Sequence, residues 1–311
     1  MADVTDAAFR RVIAQNGKPD VFWTEFVSAD GLVSPGRKVL LKDLEYCEGE
    51  RPIVAQLFTS HPEKMKEAAT LIESLGFDGL DINMGCPDRS IEKQGAGAAL
   101  IKNESQARAV IRAAKEGAPT IPISVKTRVG YNTREIETWI PALLEENIAA
   151  LTVHARTRKE MSKVPADWRD VARAVEIRNE MKKETLIIGN GDVKDINDAR
   201  EKALETGADG IMLGRAIFGN PFLFSNSQEF ENRNSPDVIR KYLEVMVEHT
   251  KLFEELLGGT KSFSIMKKHY KAYVHGFPGA HELRAKLMEA VDASEVGIIV
   301  GDFLAKGLAE V

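Results

Sequence analysis

The chain has 311 residues, with 42 Lys and Arg against 47 Asp and Glu, a formal net charge of −5. Hydrophobic residues make up 43% and charged residues 29%, and no apolar run reaches the roughly 18 residues a membrane-spanning helix needs. Two cysteines, Cys47 and Cys86, make no disulfide framework, and no basic-then-apolar leader opens the chain, so a cytoplasmic protein is expected. The net charge argues against non-specific nucleic-acid binding but says little about a local patch.

In chain order, Thr5 or Asp6 is placed to cap a first helix over residues 7–13. Short β-branched segments follow at residues 21–26, 53–58, 79–84, 123–128, 151–156, 186–190 and 210–214. Several are apolar on both faces, as parallel strands buried on both sides are. Amphipathic helices are expected between them at residues 62–74, 105–116, 135–146, 168–181 and 196–206. Strand then helix, repeated, means a parallel sheet. The expected fold is α/β, a parallel (β/α)8 barrel of the TIM type, in preference to a flavodoxin-like open sheet. Seven strands are counted where such a barrel uses eight. Because the chain opens with the loop and helix that follow a first strand, that strand is expected to be missing from it.

The polar, turn-prone stretch 226–236 reads as a linker. Beyond it helices are expected at residues 237–257, 263–274 and 281–290. The expected organisation is a barrel over residues 1–228 and a small all-helical domain over 236–311.

Barrel enzymes place their chemistry at the C-terminal ends of the strands. Gln56, Asn83, Lys126, Arg128, His154, Arg156, Asn190 and Arg215 all fall there. Strand 79–84 runs into Gly85-Cys86-Pro87, which presents a thiol suited to act as acid or nucleophile; a buried small side chain is the plainer alternative. Cys47 has no such context. The turns Gly189-Asn190-Gly191-Asp192 and Gly214-Arg215-Ala216 follow the last two strands, where barrels hold phosphate on backbone N–H groups. Lys126 is suited to stabilise negative charge, and His154 to donate to a phosphate or a ring edge. Gly95-Ala96-Gly97-Ala98-Ala99 fits close approach either to a ligand or to a packed helix. Residues 261–286 hold Lys261, Lys267, Lys268, Lys271, Arg284 and Lys286 against the single acid Glu282, with Tyr270, Tyr273 and Phe277 between them. That pattern fits an RNA-binding surface with stacking aromatics, or a solvated helix face over a small core.

Over almost its whole length the sequence resembles the tRNA-dihydrouridine synthases. The segment Asp81-Ile82-Asn83-Met84-Gly85-Cys86-Pro87 carries the resemblance most specifically. It is supported by Ala55-Gln56-Leu57-Phe58, Val125-Lys126-Thr127-Arg128, His154-Ala155-Arg156-Thr157-Arg158, Gly189-Asn190-Gly191-Asp192 and Gly214-Arg215. The resemblance implies an FMN enzyme that reduces particular uridines of tRNA, with NADPH as electron donor. It implies Cys86 as the acid that protonates C5 of the base, and Gln56, Lys126 and His154 as flavin contacts. Asn190, Gly191, Gly214 and Arg215 fall to the phosphate. Asn83, Arg128 and Arg156 lie near flavin and substrate, and Lys267, Lys268, Lys271 and Arg284 in the tRNA-binding domain. Met1 aligns with a methionine that lies beside the flavin in the family, and on that alignment Met1 is expected to be an internal methionine of a longer chain. No metal, membrane or protein partner is implied. The stretch Lys159-Glu160-Met161-Ser162-Lys163-Val164 departs from the family, which often has a glutamine and an aromatic residue there. The competing expectations are an FMN dehydrogenase of a free pyrimidine, such as a dihydroorotate dehydrogenase, and a catalytically silent RNA-binding relative.

Overall fold

The computed structural model describes residues 1, 3–225, 227–230 and 232–306. The chain divides into two compact units that interleave in sequence. One comprises residues 26–44 and 52–215, the other residues 1–25, 45–51 and those from 216 onward.

The first unit is built on the sheet. The strands are β1 (Phe22–Ser28, which enters this unit at Phe26), β2 (Ile53–Phe58), β3 (Gly79–Met84), β4 (Ile123–Arg128), β5 (Ala150–His154), β6 (Leu186–Asn190) and β7 (Gly210–Met212), neighbours in that order. From β2 onward every pair is parallel. Helices Pro62–Ser74, Glu104–Gly117, Ile136–Leu144, Arg169–Glu180 and Ile196–Thr206 form the crossovers. Their ends carry recognisable signals: Pro62 at the start of the first, side-chain caps from Asn103 and Asp195, and left-handed Gly207 closing the last. This is the (β/α) arrangement of a TIM-type fold.

The register decides what each face carries. Gln56 lies opposite Asp81, Asn83 opposite Lys126, Arg128 opposite His154, and His154 opposite Asn190. Side chains alternate along a strand. Gln56, Asp81, Asn83, Ser124, Lys126, Arg128, Thr152, His154 and Asn190 therefore share one face. The other face is apolar: Ala55, Leu57, Leu80, Ile82, Val125, Leu151, Val153 and Ile187 are fully buried. Burying such aliphatic side chains contributes about 1.5–3 kcal/mol each, so the apolar face holds the sheet and leaves the polar face to chemistry.

The second unit is helical: Ala7–Asn16, Pro236–Leu257, Ser264–Tyr273, Ala280–Glu289 and Ala293–Ala305. Asp6, and not Thr5, caps the first of these, its carboxylate accepting from the Phe9 amide at 3.0 Å. Leu243, Met246, Phe253, Leu257, Met266, Tyr270, Tyr273, Leu287 and Val296 fill the core. Arg10 is buried and fully engaged: Glu50 lies 2.6 Å away, and the carbonyls of Thr5 and Glu45 accept its other nitrogens. Helix Ala293–Ala305 was not expected from sequence. No helix among the described residues is long and apolar enough to cross a membrane.

Candidate active site

The sheet's polar face concentrates the residues singled out by sequence. At its β2–β4 side a buried network begins at Asp81, which accepts from Gln56 Nε2 at 2.7 Å and from Ser124 Oγ at 2.6 Å. Burial pushes the Asp81 carboxyl up to about 6, against the pull of those two bonds. Gln56 Oε1 in turn accepts from Asn83 Nδ2 at 3.0 Å. Asn83 Oδ1 accepts from the amides of Gly85 and Cys86, at 3.1 and 2.9 Å. The end of β3 thus holds the turn that carries the thiol.

That turn is held from two more sides. Arg128 Nε donates to the Gly85 carbonyl at 2.8 Å, and Arg128 Nη1 reaches the carbonyls of Thr157 and Met161, each at 3.1 Å. The Ala98 amide donates to the Cys86 carbonyl at 3.0 Å. Gly97 makes that approach possible: its φ is +61°, and a Cβ there would lie 2.8 Å from the Cys86 oxygen. The glycine-rich segment therefore packs under the cysteine. Cys86 itself is half-buried, and burial pushes its thiol up despite the nearby Arg128 and Lys126 cations. A thiol so placed is protonated at neutral pH, which suits a proton donor better than a thiolate nucleophile.

Lys126 and a neutral His154 lie at the centre of a cationic surround. Burial, then the Arg128 charge, lowers the Lys126 ammonium to about 8, and it makes no hydrogen bond among the described residues. Burial and the surrounding Lys126, Arg128, Arg156 and Arg215 push His154 down to about 2. His154 is neutral, and because Arg156 Nη1 donates to its Nε2 at 3.3 Å, the ring proton sits on Nδ1.

The two turns expected to hold phosphate lie at the ends of β6 and β7. Asn190 Nδ2 donates to the Met212 carbonyl at 2.8 Å and ties them together. The amides of Asp192, Gly214 and Arg215 have no acceptor among the described residues, and a Cβ at Gly214 would meet nothing within 4 Å. The Arg215 guanidinium is 69% exposed, with one nitrogen 2.7 Å from Asp192. Open amides beside an arginine, with an unpartnered ammonium and a neutral imidazole donor on the same face, make a donor set that fits a phosphate-bearing aromatic cofactor.

Arg156 lies beyond the strand, because β5 ends at His154, and β7 stops two residues short of Gly214. Sequence reading missed the roles of Asp81 and Asp192. It also missed the ion pair by which Arg158 holds Glu92, joining the segment after Cys86 to the loop after β5. Spacing along the strand points to Asp81, two residues before Asn83; Asp192 stands in the expected phosphate turn, but nothing local shows which groups its carboxylate meets.

The other expected residues lie in the helical unit. The Met1 ammonium donates to Thr5 Oγ1 at 2.6 Å. Lys268 and Lys271 are exposed, Lys267 is half-buried, and Arg284 Nη1 donates to the Val274 carbonyl at 2.9 Å. Lys261 is held 2.7 Å from Glu25. Lys271 and Arg284 line a cleft of about 420 Å³ with His275 and His281. The aromatics do not share that surface. Tyr270 and Tyr273 are 0% and 1% exposed, and Phe277 packs on the same core, so the stacking role entertained from sequence gives way to packing.

Comparison with known proteins bears on the fold and the family. Two solved structures share the fold at 13% identity. Histamine dehydrogenase from Rhizobium sp. 4-9 has a TM-score of 0.51, covering 79% of this chain and 46% of that one. A morphinone reductase variant in complex with tetrahydroNAD has a TM-score of 0.50, covering 71% and 81%. The chain is 39% identical over 311 residues to the probable tRNA-dihydrouridine synthase 2 of Bacillus subtilis (strain 168), covering 99% of this chain and 93% of that protein. It is 37% identical over 309 residues to a probable tRNA-dihydrouridine synthase of Staphylococcus aureus (strain COL), covering 98% and 92%. The dihydrouridine synthase model matches residues 1–306, so the chain belongs to the dihydrouridine synthase (Dus) family.

Proposed function

We propose that this protein reduces the C5–C6 double bond of particular uridines in tRNA, giving 5,6-dihydrouridine, with FMN as cofactor and NADPH as electron donor. The observation that carries the reading is a protonated thiol, Cys86, held from three sides at the rim of a polar, cationic strand face in a chain of this family.

The FMN phosphate would take the amides of Asp192, Gly214 and Arg215 and the Arg215 guanidinium, with Asn190 and Gly191 shaping the turn. Gln56, Lys126 and His154 would face the ring system. When bound, the flavin supplies the hydride that goes to C6 of the base. Cys86 gives its proton to C5, where hydride addition leaves carbanion character. Lys126 offers positive charge to the electron-rich ring, and His154, neutral, offers a hydrogen bond without adding a second charge. Arg128 holds the loop that presents Cys86, Asn83 sets its turn, and Arg156 fixes His154. A uridine in folded RNA must leave its stack to reach such a site. Residues 1–228 would serve the flavin and residues 236–311 the tRNA, through Lys267, Lys268, Lys271 and Arg284. A cytoplasmic location goes with that substrate.

The test is to incubate the purified chain, FMN and NADPH with an unmodified tRNA transcript, and in parallel with free uridine monophosphate and orotate. Dihydrouridine in the digested tRNA, with neither free pyrimidine turned over, is the expected result. Turnover of orotate alone would assign the site to a free-pyrimidine dehydrogenase. Binding of tRNA without turnover of any of the three would leave an RNA-binding protein.

A further inference from the structure

Asp81 aside, a second carboxylate, at the rim of the polar face, has no part in the chemistry proposed above. Asp192 follows the β6 turn and accepts three hydrogen bonds from two other segments. Arg156 Nη2 and the Ala166 amide (2.9 Å) reach Oδ2, and Arg215 Nη2 reaches Oδ1 at 2.7 Å. Against the cost of burial, the Ala166 amide and then the Arg156 and Arg215 guanidiniums hold the Asp192 carboxyl below the usual carboxylate range. Its backbone is left-handed, with φ +51°, a region that Asp and Asn tolerate better than most residues. Gly191 before it has φ +134°, and a Cβ there would lie 2.8 Å from the Ala166 Cβ, so the β6 turn closes against the loop after β5 only with glycine. Trp168 Nε1 adds a bond to the Gly191 carbonyl at 3.0 Å.

The consequence runs through Arg156. With Nη2 on Asp192 and Nε on the Val164 carbonyl (2.6 Å), the guanidinium plane is fixed and Nη1 points at His154 Nε2. We infer that Asp192 is a positioning residue: it fixes Arg156 so that His154 keeps its proton on Nδ1, and it holds Arg215 beside the open amides of the phosphate turn. The Arg215 half of this inference rests on the flavin-phosphate reading given above; the His154 half does not.

The variants follow from the backbone. Asp192→Gly removes all three bonds at a φ that glycine accepts, and Asp192→Asn keeps an oxygen for Arg156 and Ala166 but offers Arg215 an amide NH2 in place of an acceptor. Two readouts apply to the full chain. The first is the ¹⁵N shift pair of the His154 ring in flavin-free protein, assigned by its loss in His154→Gln. The second is affinity for FMN against riboflavin, which lacks the phosphate. In the unsubstituted protein the ring is the Nδ1–H tautomer and FMN binds more tightly than riboflavin. Asp192→Gly gives a mixture of tautomers and a roughly tenfold loss of FMN affinity with riboflavin little changed, the size expected when a charge-assisted hydrogen bond is lost. Asp192→Asn restores the tautomer and keeps a weaker, several-fold loss for FMN. A His154 tautomer unmoved in Asp192→Gly overturns the positioning role. Should Asp192→Gly not fold, Asp192→Asn binding FMN as tightly as the unsubstituted protein overturns the Arg215 half. Equal binding of FMN and riboflavin by the unsubstituted protein overturns the phosphate reading, while the tautomer measurement still decides what Asp192 does for His154.

Discussion

The two units bury histidine in opposite ways. In the sheet unit His154 is neutral because burial is joined by four neighbouring cations, and one of these, Arg156, hydrogen-bonds the ring. In the helical unit His249 and His269 are both fully buried with ring centroids 4.6 Å apart, against Phe9, and His269 also meets Phe218. Three of their four ring nitrogens, His249 Nε2 and both of His269, have no hydrogen-bond partner among the described residues, and burial is the leading cause of their lowered basicity. The first environment is positive and answers to an incoming anion. The second is apolar and answers only to exposure on unfolding. One residue type thus separates a face arranged for chemistry from a core arranged for stability.

The largest expected effect lies in the helical core. His269 is lowered to about 3 in the folded chain, below the roughly 6.5 of an exposed histidine. The folded state therefore binds fewer protons, and the stability this neutral ring supports is complete above about pH 6.5 and lost as pH falls towards 3, by about 1.4 kcal/mol per pH unit. Asp6, raised to about 6 by burial, works in the opposite sense and adds stability as pH falls from 6 towards 4. Urea unfolding of His269→Phe should show a pH dependence shallower by about 2 kcal/mol between about pH 6 and 4.5. Equal slopes in the two proteins would mean that His269 is hydrated or already paired.

Next comes Lys126, lowered to about 8 where an unfolded lysine titrates near 10.5. Between those values the ammonium is largely neutral in the folded, flavin-free protein, and an anionic ligand beside it restores the charge. FMN binding at about pH 8.5 should then take up a fraction of a proton, read by calorimetry in buffers of different ionisation heat. Lys126→Met should abolish the uptake and weaken FMN roughly tenfold. Uptake that survives the substitution would move the titrating group elsewhere.

The smallest effect concerns three lysines of the helical unit, two exposed and one half-buried. Replacing Lys267, Lys268 and Lys271 with Glu should weaken tRNA binding and flatten its salt dependence, since fewer counterions are released, with flavin content unchanged. An unaltered affinity would return these lysines to a solvated face.

What was legible in the sequence follows the same division. The seven strands announced themselves through β-branched runs, and the polar residues at their ends fell on one face because a strand has a period of two. Asp192 was not legible, because its role depends on Arg156 and Arg215 arriving from separate loops. Helix Ala293–Ala305 was missed since it is rich in apolar residues and contains two glycines, Gly297 and Gly301. Its start was signalled by Asp292, whose carboxylate accepts from the Glu295 amide at 2.8 Å. Tyr270 and Tyr273 show the converse: amid lysines their sequence context reads equally as a stacking surface or a core, and only packing distinguishes them.

The proposed proton donor is the Cys86 thiol held on the rim of the polar face, and that role can be read in one reaction cycle. It is tested most directly by a single turnover: enzyme with FMN reduced beforehand is mixed with unmodified tRNA in the absence of oxygen, and flavin reoxidation is followed alongside dihydrouridine formed. One dihydrouridine is expected per flavin reoxidised, and in Cys86→Ala a rate lower by about 10²-fold or more with flavin binding and reduction by NADPH intact, the size typical of a positioned general acid. Reoxidation of the Cys86→Ala flavin by tRNA at an undiminished rate, with dihydrouridine formed, would contradict that role.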